Sequence, residues 1–210
     1  MQLKIHNEGW VYFVISCLIT IIIIPFYTIL GILLCILSAY IFYFFRDPVR
    51  SIPGEKVIVS PADGLVTFIG ITKNPLNDET DQNSYKKISI FLSVFDVHVN
   101  RMPVDAKISQ IKYIPGKFIN ATLDKSSEEN ERNYYKVKLS NGEDIVLVQI
   151  AGLIARRIVC EVEQGQNIKQ GERVGMIRFG SRVDVYFKNK KVLAKLGQNV
   201  VAGESLIASE

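Results

Sequence analysis

The sequence predicts a mainly β domain that follows two N-terminal membrane helices, and three observations support this fold class. First, no Lys, Arg, Asp or Glu occurs between Gly9 and Phe45. Second, short apolar runs separated by turn residues follow from Val57 onward. Third, a glycine-containing pattern recurs after 32 residues near the C-terminus. The chain of 210 residues therefore divides into a membrane anchor, residues 1–45, and a β-rich domain, residues 46–210.

The anchor is predicted to be a hairpin of two short transmembrane helices, at about residues 10–24 and 26–45. A bilayer core needs about 20 apolar residues per helix. The apolar run of 37 residues is therefore too long for one straight span. Pro25 lies near its middle and favours a break in the helix there. Trp10 and Tyr43, at opposite ends of the run, suit a shared membrane interface.

The basic residues beside the anchor predict its orientation. Lys4, Arg46 and Arg50 flank the apolar run, and such residues are retained on the cytoplasmic side. We therefore expect the protein in the inner membrane of the cell, with residues 46–210 on the cytoplasmic side. A cleaved signal peptide is disfavoured, because the apolar run far exceeds the roughly 7–15 residues of such a segment.

Composition argues against several classes of protein. Of the three cysteines, two fall in the apolar run, so neither a disulfide framework nor a metal site is expected. The net charge of +4 suits an anionic membrane surface. No basic stripe with interleaved aromatic residues is present, so we expect no nucleic acid among the partners.

Short strands dominate the prediction for the second domain, and no long amphipathic helix is visible there. Predicted strands cover residues 65–71, 87–94, 107–114, 134–139 and 145–150. Ser140-Asn141-Gly142-Glu143 predicts a tight hairpin between the last two, because Asn-Gly tolerates the positive φ of such a turn.

The C-terminal repeat surrounds the strongest candidate for chemistry. Residues 165–177 are echoed by residues 197–207. Both copies resemble the Gly-x-x-Val-x-x-Gly-x-x-Ile hairpins of barrel-sandwich domains such as lipoyl and biotinyl carriers, which implies a barrel-sandwich-like β domain. Gly180-Ser181 lies between the copies, within a predicted strand at residues 177–187 whose apolar residues alternate with polar ones.

Three side chains are candidates for a nucleophilic site. Ser181 follows a glycine that permits a strained turn. A serine nucleophile needs a base, and the base needs an orienting carboxylate. His98 is the only histidine after the membrane segment, and Asp63 lies in the turn Ser60-Pro61-Ala62-Asp63-Gly64. Taken singly, each has an ordinary explanation: a serine in a bulge, a hydrogen-bonding histidine, and an aspartate that bonds its own turn.

Three basic residues are candidates for holding an anionic group of a substrate. They are Lys117, Arg156 and Arg157. Surface charges commonly do nothing so definite, so this prediction depends on where the fold places them.

Together these segments resemble the phosphatidylserine decarboxylases, in particular their short bacterial form with an N-terminal membrane segment. The resemblance covers essentially the whole chain, and the combination of motifs is highly specific. The matching segments are residues 40–48, 60–64, 91–103, 115–123, 149–160 and 171–186.

The resemblance implies a proenzyme that cuts itself at Gly180-Ser181. A large chain, residues 1–180, and a small chain, residues 181–210, would stay together as a heterodimer, and further self-association is left open. Residue 181 would become a pyruvoyl group, which takes the place of pyridoxal phosphate as the electron acceptor. The implied reaction converts phosphatidylserine in the membrane to phosphatidylethanolamine and carbon dioxide, within phospholipid biosynthesis and without a metal.

The resemblance also implies roles for the candidate residues. Asp63, His98 and Ser181 would form the self-cleaving constellation, and His98 would donate a proton during turnover. Longer family members carry a second histidine where this chain has Arg101, which stays protonated and cannot act as a base. Either His98 serves both steps, or another group activates Ser181. Arg182, after the cut bond, also differs from the longer members.

Two other functions stay open at the level of sequence. A membrane-bound serine hydrolase would use an intact Ser181 with His98 and Asp63, and it would remain one full-length chain. A membrane-anchored carrier or adaptor would need no enzymatic site. Asp124-Lys125 resembles a lipoyl acceptor but lies outside the repeat region.

Overall fold

Within the residues that this computed structural model describes, the chain forms two helices and sixteen strands in two units. The described residues are 3–54, 57–76, 84–117, 129–152, 157–178 and 180–209. The first unit, residues 1–49, contains β1 (Leu3–Ile5), α1 (Asn7–Ile23), α2 (Thr28–Phe44) and β2 (Arg46–Pro48). The second unit, residues 50–210, contains β3 (Val57–Val59), β4 (Gly64–Thr72), β5 (Tyr85–Leu92), β6 (Val99–Arg101), β7 (Ala106–Ile114), β8 (Arg132–Lys138), β9 (Asp144–Ile150), β10 (Ile158–Cys160), β11 (Asn167–Ile168), β12 (Arg173–Ile177), β13 (Ser181–Phe187), β14 (Lys191–Val192), β15 (Asn199–Val200) and β16 (Leu206–Ser209).

The two helices of the first unit pack as the predicted hairpin, on either side of Pro25. The hydroxyls of Thr20 and Ser38 lie 3.4 Å apart, and the rings of Phe13 and Phe42 lie 5.5 Å apart, so the helices are antiparallel. No helix among the described residues is long and apolar enough to cross a membrane. The transmembrane assignment of the hairpin is therefore not supported.

The second unit is mainly β, as predicted. Its large sheet of eight strands curls into a half-barrel, and its strand order is β11-β7-β8-β9-β13-β5-β4-β15 in the described part of the chain. The described strands also form two three-stranded sheets, β10-β12-β6 and β14-β16-β3. The predicted hairpin at Asn141-Gly142 joins β8 to β9, with Gly142 at a φ of +86°. The hairpin prediction is thus confirmed.

The predicted strand at residues 177–187 is wrong in one respect. It is two strands in different sheets: β12 ends at Ile177 in a small sheet, and β13 begins at Ser181 in the large one. All seven residues of β13 are buried, on both faces of the sheet. The polar residues of the alternation face a second apolar cluster, which contains Tyr85, Tyr134, Val146, Val148, Ile150 and Tyr186. A sequence alternation typical of a half-exposed strand therefore belongs here to a fully covered one.

The second unit is built from two halves related by an internal two-fold. One half contains β3–β5 and β13–β16; the other contains β6–β12 and is inserted between β5 and β13. The large sheet then reads the same from either end, with β9 and β13 side by side at its centre. The two copies of the C-terminal repeat are the last parts of these halves.

Matching hydrogen bonds support the two-fold. The Val59 amide donates to the Pro103 carbonyl, and the Arg101 amide donates to the Pro61 carbonyl. The strand bulge after Val66 corresponds to the bulge after Ile108. Each bulge carries a hydroxyl bond to the neighbouring strand, from Thr67 to the Ser89 carbonyl and from Ser109 to the Lys136 carbonyl. Counting from these bulges aligns β4 with β7 and β5 with β8, residue by residue.

Gly64→Ala should destabilise the second unit more than Gly54→Ala. Both glycines have positive φ, +147° and +95°, so both substitutions strain the backbone. At Gly64 an added Cβ also collides with the Phe91 carbonyl, whereas at Gly54 nothing lies within 4 Å. We expect Gly64→Ala to lose about 1–3 kcal/mol more than Gly54→Ala, measured by denaturant unfolding. Equal losses would contradict the close approach of β4 and β5.

Candidate active site

Ser181 opens β13 at a buried sheet position. It pairs with Leu92 of β5 and is fully buried. Its Oγ has no hydrogen-bond partner among the described residues. Gly180 before it has a φ of +43°, with open space where a side chain would be. The chain thus turns in a left-handed conformation immediately before a buried hydroxyl, while Phe179 lies outside the described residues.

His98 lies beside the end of β12, which precedes the Gly180–Ser181 bond in the chain. Its carbonyl accepts from the Ile177 amide at 3.4 Å, and Ile177 lies three residues before Gly180. The ring is fully buried, with Nδ1 3.0 Å from the Asp96 carbonyl oxygen. Because a carbonyl can only accept, Nδ1 carries the proton in this contact, and Nε2 is the basic nitrogen of the ring. Asp96 in turn accepts from the Ser93 amide and hydroxyl, each at 2.7 Å, which fixes the turn.

Asp63 does not contact His98 or Ser181. Its carboxylate accepts from Arg50 Nη2 at 2.9 and 2.8 Å and from the Ala202 amide at 2.8 Å. Its two-fold counterpart, Asp105, accepts from the Gln170 amide at 2.6 Å. Ala202 and Gln170 occupy the same place in the two copies of the repeat. The contact of Asp63 with a backbone amide therefore has an equivalent in the other half and belongs to the scaffold. The ion pair with Arg50 is found in the half of Asp63 alone among the described residues.

The predicted anion-binding residues fall in different environments. Lys117 is exposed and forms an ion pair with Glu129 at 3.1 Å, so its charge is already partly neutralised. Arg156 lies outside the described residues. Arg157 is exposed, and its carbonyl accepts from the Arg178 amide, two residues before Gly180. Of the two that the structure describes, Lys117 and Arg157, it is Arg157 that lies near the candidate site.

Arg101 contacts the first copy of the repeat. Its Nη1 donates to the Gly171 carbonyl at 2.9 Å, inside the turn of the first repeat copy. The arginine that replaces the second histidine of longer family members thus serves the scaffold of the inserted half.

A buried polar chain beside the site was not predicted from the sequence. Tyr135 Oη donates to Gln149 Oε1 at 2.6 Å, and Gln149 Nε2 donates to Asn100 Oδ1 at 2.8 Å. Burial raises the pKa of Tyr135 well above its usual range, so the phenol keeps the proton that it donates. One signal was present: Gln149 is a polar residue at a core-facing position of the apolar strand β9.

The opposite face of β13 carries a buried ionic cluster. The carboxylate of Asp184, which is fully buried, lies 2.9 Å from Arg182 Nε and 3.1 Å from Lys87 Nζ. Burial, and then the negative charge of Asp184, raise the pKa of Tyr186, whose hydroxyl donates to the same carboxylate. Several partners compensate the cost of burying this charge. The cluster fixes the residues immediately after Ser181.

Metal ligands do not gather in this region or elsewhere in the described ranges. No group of three or more His, Cys, Asp or Glu residues there is placed to hold a metal ion.

The chain is similar to one protein family over most of its length. Residues 37–208 match the family described as phosphatidylserine decarboxylase. The phosphatidylserine decarboxylase proenzyme of Pelagibacter ubique (strain HTCC1062) is 53% identical over 208 residues, which are 99% of this chain and 97% of that protein. The proenzymes of the same name from Rickettsia rickettsii (strain Sheila Smith) and Ruegeria pomeroyi are each 45% identical. They match 97% of this chain, over 89% and 94% of their own lengths.

Asp63→Asn should cost more stability than Asp105→Asn. Both substitutions weaken a hydrogen bond from a backbone amide to a carboxylate, but only Asp63→Asn also leaves the nearly buried Arg50 without its anionic partner. We expect a loss of about 1 kcal/mol for Asp105→Asn and about 2–3 kcal/mol for Asp63→Asn, measured by denaturant unfolding. An unchanged stability for Asp63→Asn would contradict the ion pair.

Proposed function

This chain belongs to the phosphatidylserine decarboxylase family, and from that membership we propose that it converts phosphatidylserine to phosphatidylethanolamine and carbon dioxide in phospholipid biosynthesis. The observation that carries this function is the identity with decarboxylase proenzymes along nearly the whole chain. Because those relatives are named proenzymes, the proposal includes self-cleavage between Gly180 and Ser181 and a pyruvoyl group made from residue 181.

The proposed cleavage is a rearrangement within the chain. The Ser181 hydroxyl oxygen adds to the Gly180 carbonyl carbon, and the bond from that carbon to the Ser181 nitrogen breaks. The peptide becomes an ester, and the hydroxyl proton ends on the freed amine. Elimination then releases the Gly180 carboxylate, and addition of water with loss of ammonia leaves the pyruvoyl group. The positive φ of Gly180 supports the proposal, because a turned backbone exposes the carbonyl to the neighbouring hydroxyl.

The surroundings of residue 181 suit this conversion. Its hydroxyl bonds to no described residue, so the loss of that oxygen as the side chain becomes the methyl group of the pyruvoyl leaves no described side-chain partner unpaired. When present, the pyruvoyl group supplies a carbonyl that accepts electrons from the breaking carbon–carbon bond, as pyridoxal phosphate does in other decarboxylases. We propose that no metal takes part.

His98 is proposed as the base that takes the Ser181 proton and as the proton donor in turnover. Its Nδ1 donates to the Asp96 carbonyl, and this tautomer makes Nε2 the nitrogen that can accept a proton. For Asp63 we propose an indirect part in the same constellation. Its contacts with Arg50 and Ala202 hold the turn after β3, and they do not orient the imidazole.

After cleavage the two chains are proposed to stay together as a heterodimer. The small chain, residues 181–210, would contribute β13 between β5 and β9, which both belong to the large chain, residues 1–180. Its β15 and β16 pair with β4 and β3. Four strand pairings therefore bind the small chain without the peptide bond. Further association of such heterodimers is left open.

Substrate binding and location complete the proposal. Arg157, exposed near Gly180, is proposed to bind the phosphodiester of the lipid headgroup, since arginine suits phosphate oxygens. We also propose that the helical hairpin associates with the inner membrane and that residues 46–210 lie on the cytoplasmic side. Many large apolar side chains of both helices are exposed, among them Ile22 and Leu33.

Ser181→Ala should leave one uncut chain of 23.7 kDa without decarboxylase activity. Alanine has no oxygen to attack the Gly180 carbonyl and no route to a ketone. The measurement is the mass of each chain in the purified protein, followed by carbon dioxide release from phosphatidylserine vesicles. Glu143→Ala changes the two-fold counterpart of Ser181 and should cut as wild type does. An active wild-type protein that stays full-length would contradict the proposal and favour a serine hydrolase.

Ile22→Lys combined with Leu33→Lys should weaken membrane association. These side chains are 63% and 58% exposed, and two charges on an apolar surface oppose contact with lipid. The measurement is flotation of the full chain with phosphatidylglycerol-containing vesicles. Ile71→Lys, at a 74% exposed position of the second unit, is the matched control and should float like wild type. If the double variant floats equally well, the hairpin is not the lipid contact.

A further inference from the structure

The buried polar chain of Tyr135, Gln149 and Asn100 can be compared with the equivalent positions of the other half, because the two halves are related by the internal two-fold. Counting from the matching bulges, Tyr135 in β8 corresponds to Ile88 in β5. The bulges of the small sheets likewise pair Asn100 in β6 with Ile58 in β3. The same fold positions are therefore polar in one half and apolar in the other.

Gln149 completes this comparison. Tyr135 pairs with Leu147 of β9, and its counterpart Ile88 pairs with Val185 of β13, so Leu147 corresponds to Val185. Gln149 thus corresponds to Phe187. All three counterparts, Ile58, Ile88 and Phe187, are buried members of the main apolar core.

The fold itself does not require polar side chains at these positions. Apolar residues fill the equivalent space in the other half, where they gain burial without desolvating a polar group. The polar half is also incompletely satisfied, because the fully buried Nδ2 of Asn100 has no hydrogen-bond partner among the described residues. Buried donors are nearly always paired, so this donor points to an oxygen that it binds during function.

The hydrogen bonds of this polar chain run from Tyr135 to Asn100, so the last residue, Asn100, has a donor left. The bond from Tyr135 Oη to Gln149, at 2.6 Å, is much shorter than the 3.4 Å approach of the same oxygen to the Val174 carbonyl. Since the phenol donates to Gln149 Oε1, the amide nitrogen of Gln149 faces Asn100 Oδ1. The remaining group of Asn100 is then its NH₂.

The register brings Gln149, the residue that holds this donor, close to Ser181. Gln149 pairs with Val183, two residues after Ser181, and lies on the same face of the sheet. Diagonal neighbours of this kind are about 7–8 Å apart, within reach of a further side chain. Asn100 follows His98 by two residues in the chain, and its amide is hydrogen-bonded to Gln149.

We propose that Asn100 is a catalytic residue of the self-cleavage, which donates its Nδ2 hydrogen to the Gly180 carbonyl oxygen as Ser181 attacks. This proposal rests on the proposed function. As the Oγ–carbon bond forms, an electron pair moves onto the carbonyl oxygen and the Oγ proton moves to His98. The pair returns when the carbon–nitrogen bond breaks, and the proton passes to the amine. A fixed donor aimed at that oxygen stabilises the charge while it exists. Gln149 and Tyr135 are positioning residues that hold the amide.

Asn100→Leu is the main test, followed as a time course of uncut and cut chains after synthesis of the full-length protein. Loss of one donor to a developing oxyanion typically slows a reaction about 10²–10³-fold, and we expect a slowing of that order. Tyr135→Phe removes only the hydroxyl at the far end of the chain, and it should slow cleavage less. Cleavage of both variants at the wild-type rate would overturn the proposal.

Thermal stability separates a functional role from a structural one. Measured in Ser181→Ala chains, which are expected to stay uncut, Asn100→Leu should melt at the same or a higher temperature, because its counterpart Ile58 is apolar. A lower melting temperature with normal cleavage would assign Asn100 to the scaffold. If Asn100→Leu does not fold, Gln149→Leu and Tyr135→Phe replace it, and unchanged cleavage in both would refute the proposal. Cutting in the Ser181→Ala parent would instead refute the proposed function.

Discussion

The structure of the second unit depends on one constraint, which is that β13 pairs with another strand along both of its edges. Its backbone bonds to β5 on one side and to β9 on the other, and all seven of its residues are buried. A strand held in this way cannot move without opening the large sheet. The position of Ser181 is therefore set by the sheet and not by the bond to Gly180. This allows that bond to be broken while the residue stays in place, as the proposed self-cleavage requires.

The two halves of the second unit differ in how the chain enters their central strands, β9 and β13. In the inserted half, a tight turn at Gly142 joins β8 to β9. In the other half, the whole inserted half stands between β5 and β13, and the chain enters β13 from the end of β12 in another sheet. The sharp bend at Gly180 follows from this change of sheet. Chemistry is proposed where the two-fold is broken, and shared features such as the Asp63 and Asp105 contacts belong to the scaffold.

The two faces of β13 carry different kinds of buried polar groups. On one face, Arg182, Asp184 and Lys87 compensate one another in a buried ionic cluster next to aromatic residues. On the other face, Ser181 lies among apolar residues, close to a polar chain that ends in an unsatisfied amide. The first arrangement pairs opposite charges and favours rigidity, whereas the second leaves a buried amide donor without a described partner. The strand thus combines a fixed position with a reactive environment.

The sequence by itself determined the strands β4, β5, β7, β8 and β9, the hairpin turn, the C-terminal repeat and the family, because these follow from local alternation, turn chemistry and motifs. It also placed Gly180, Ser181 and His98 in one candidate site. Only the tertiary structure decided that Ile177 and Ser181 belong to different sheets, and that Asp63 pairs with Arg50. It alone joined Asn100 to Gln149, 49 residues later. The physical reason is that alternation specifies which residues face a core. The partner of a buried polar group depends on strand order and register between distant segments, and no local pattern encodes these.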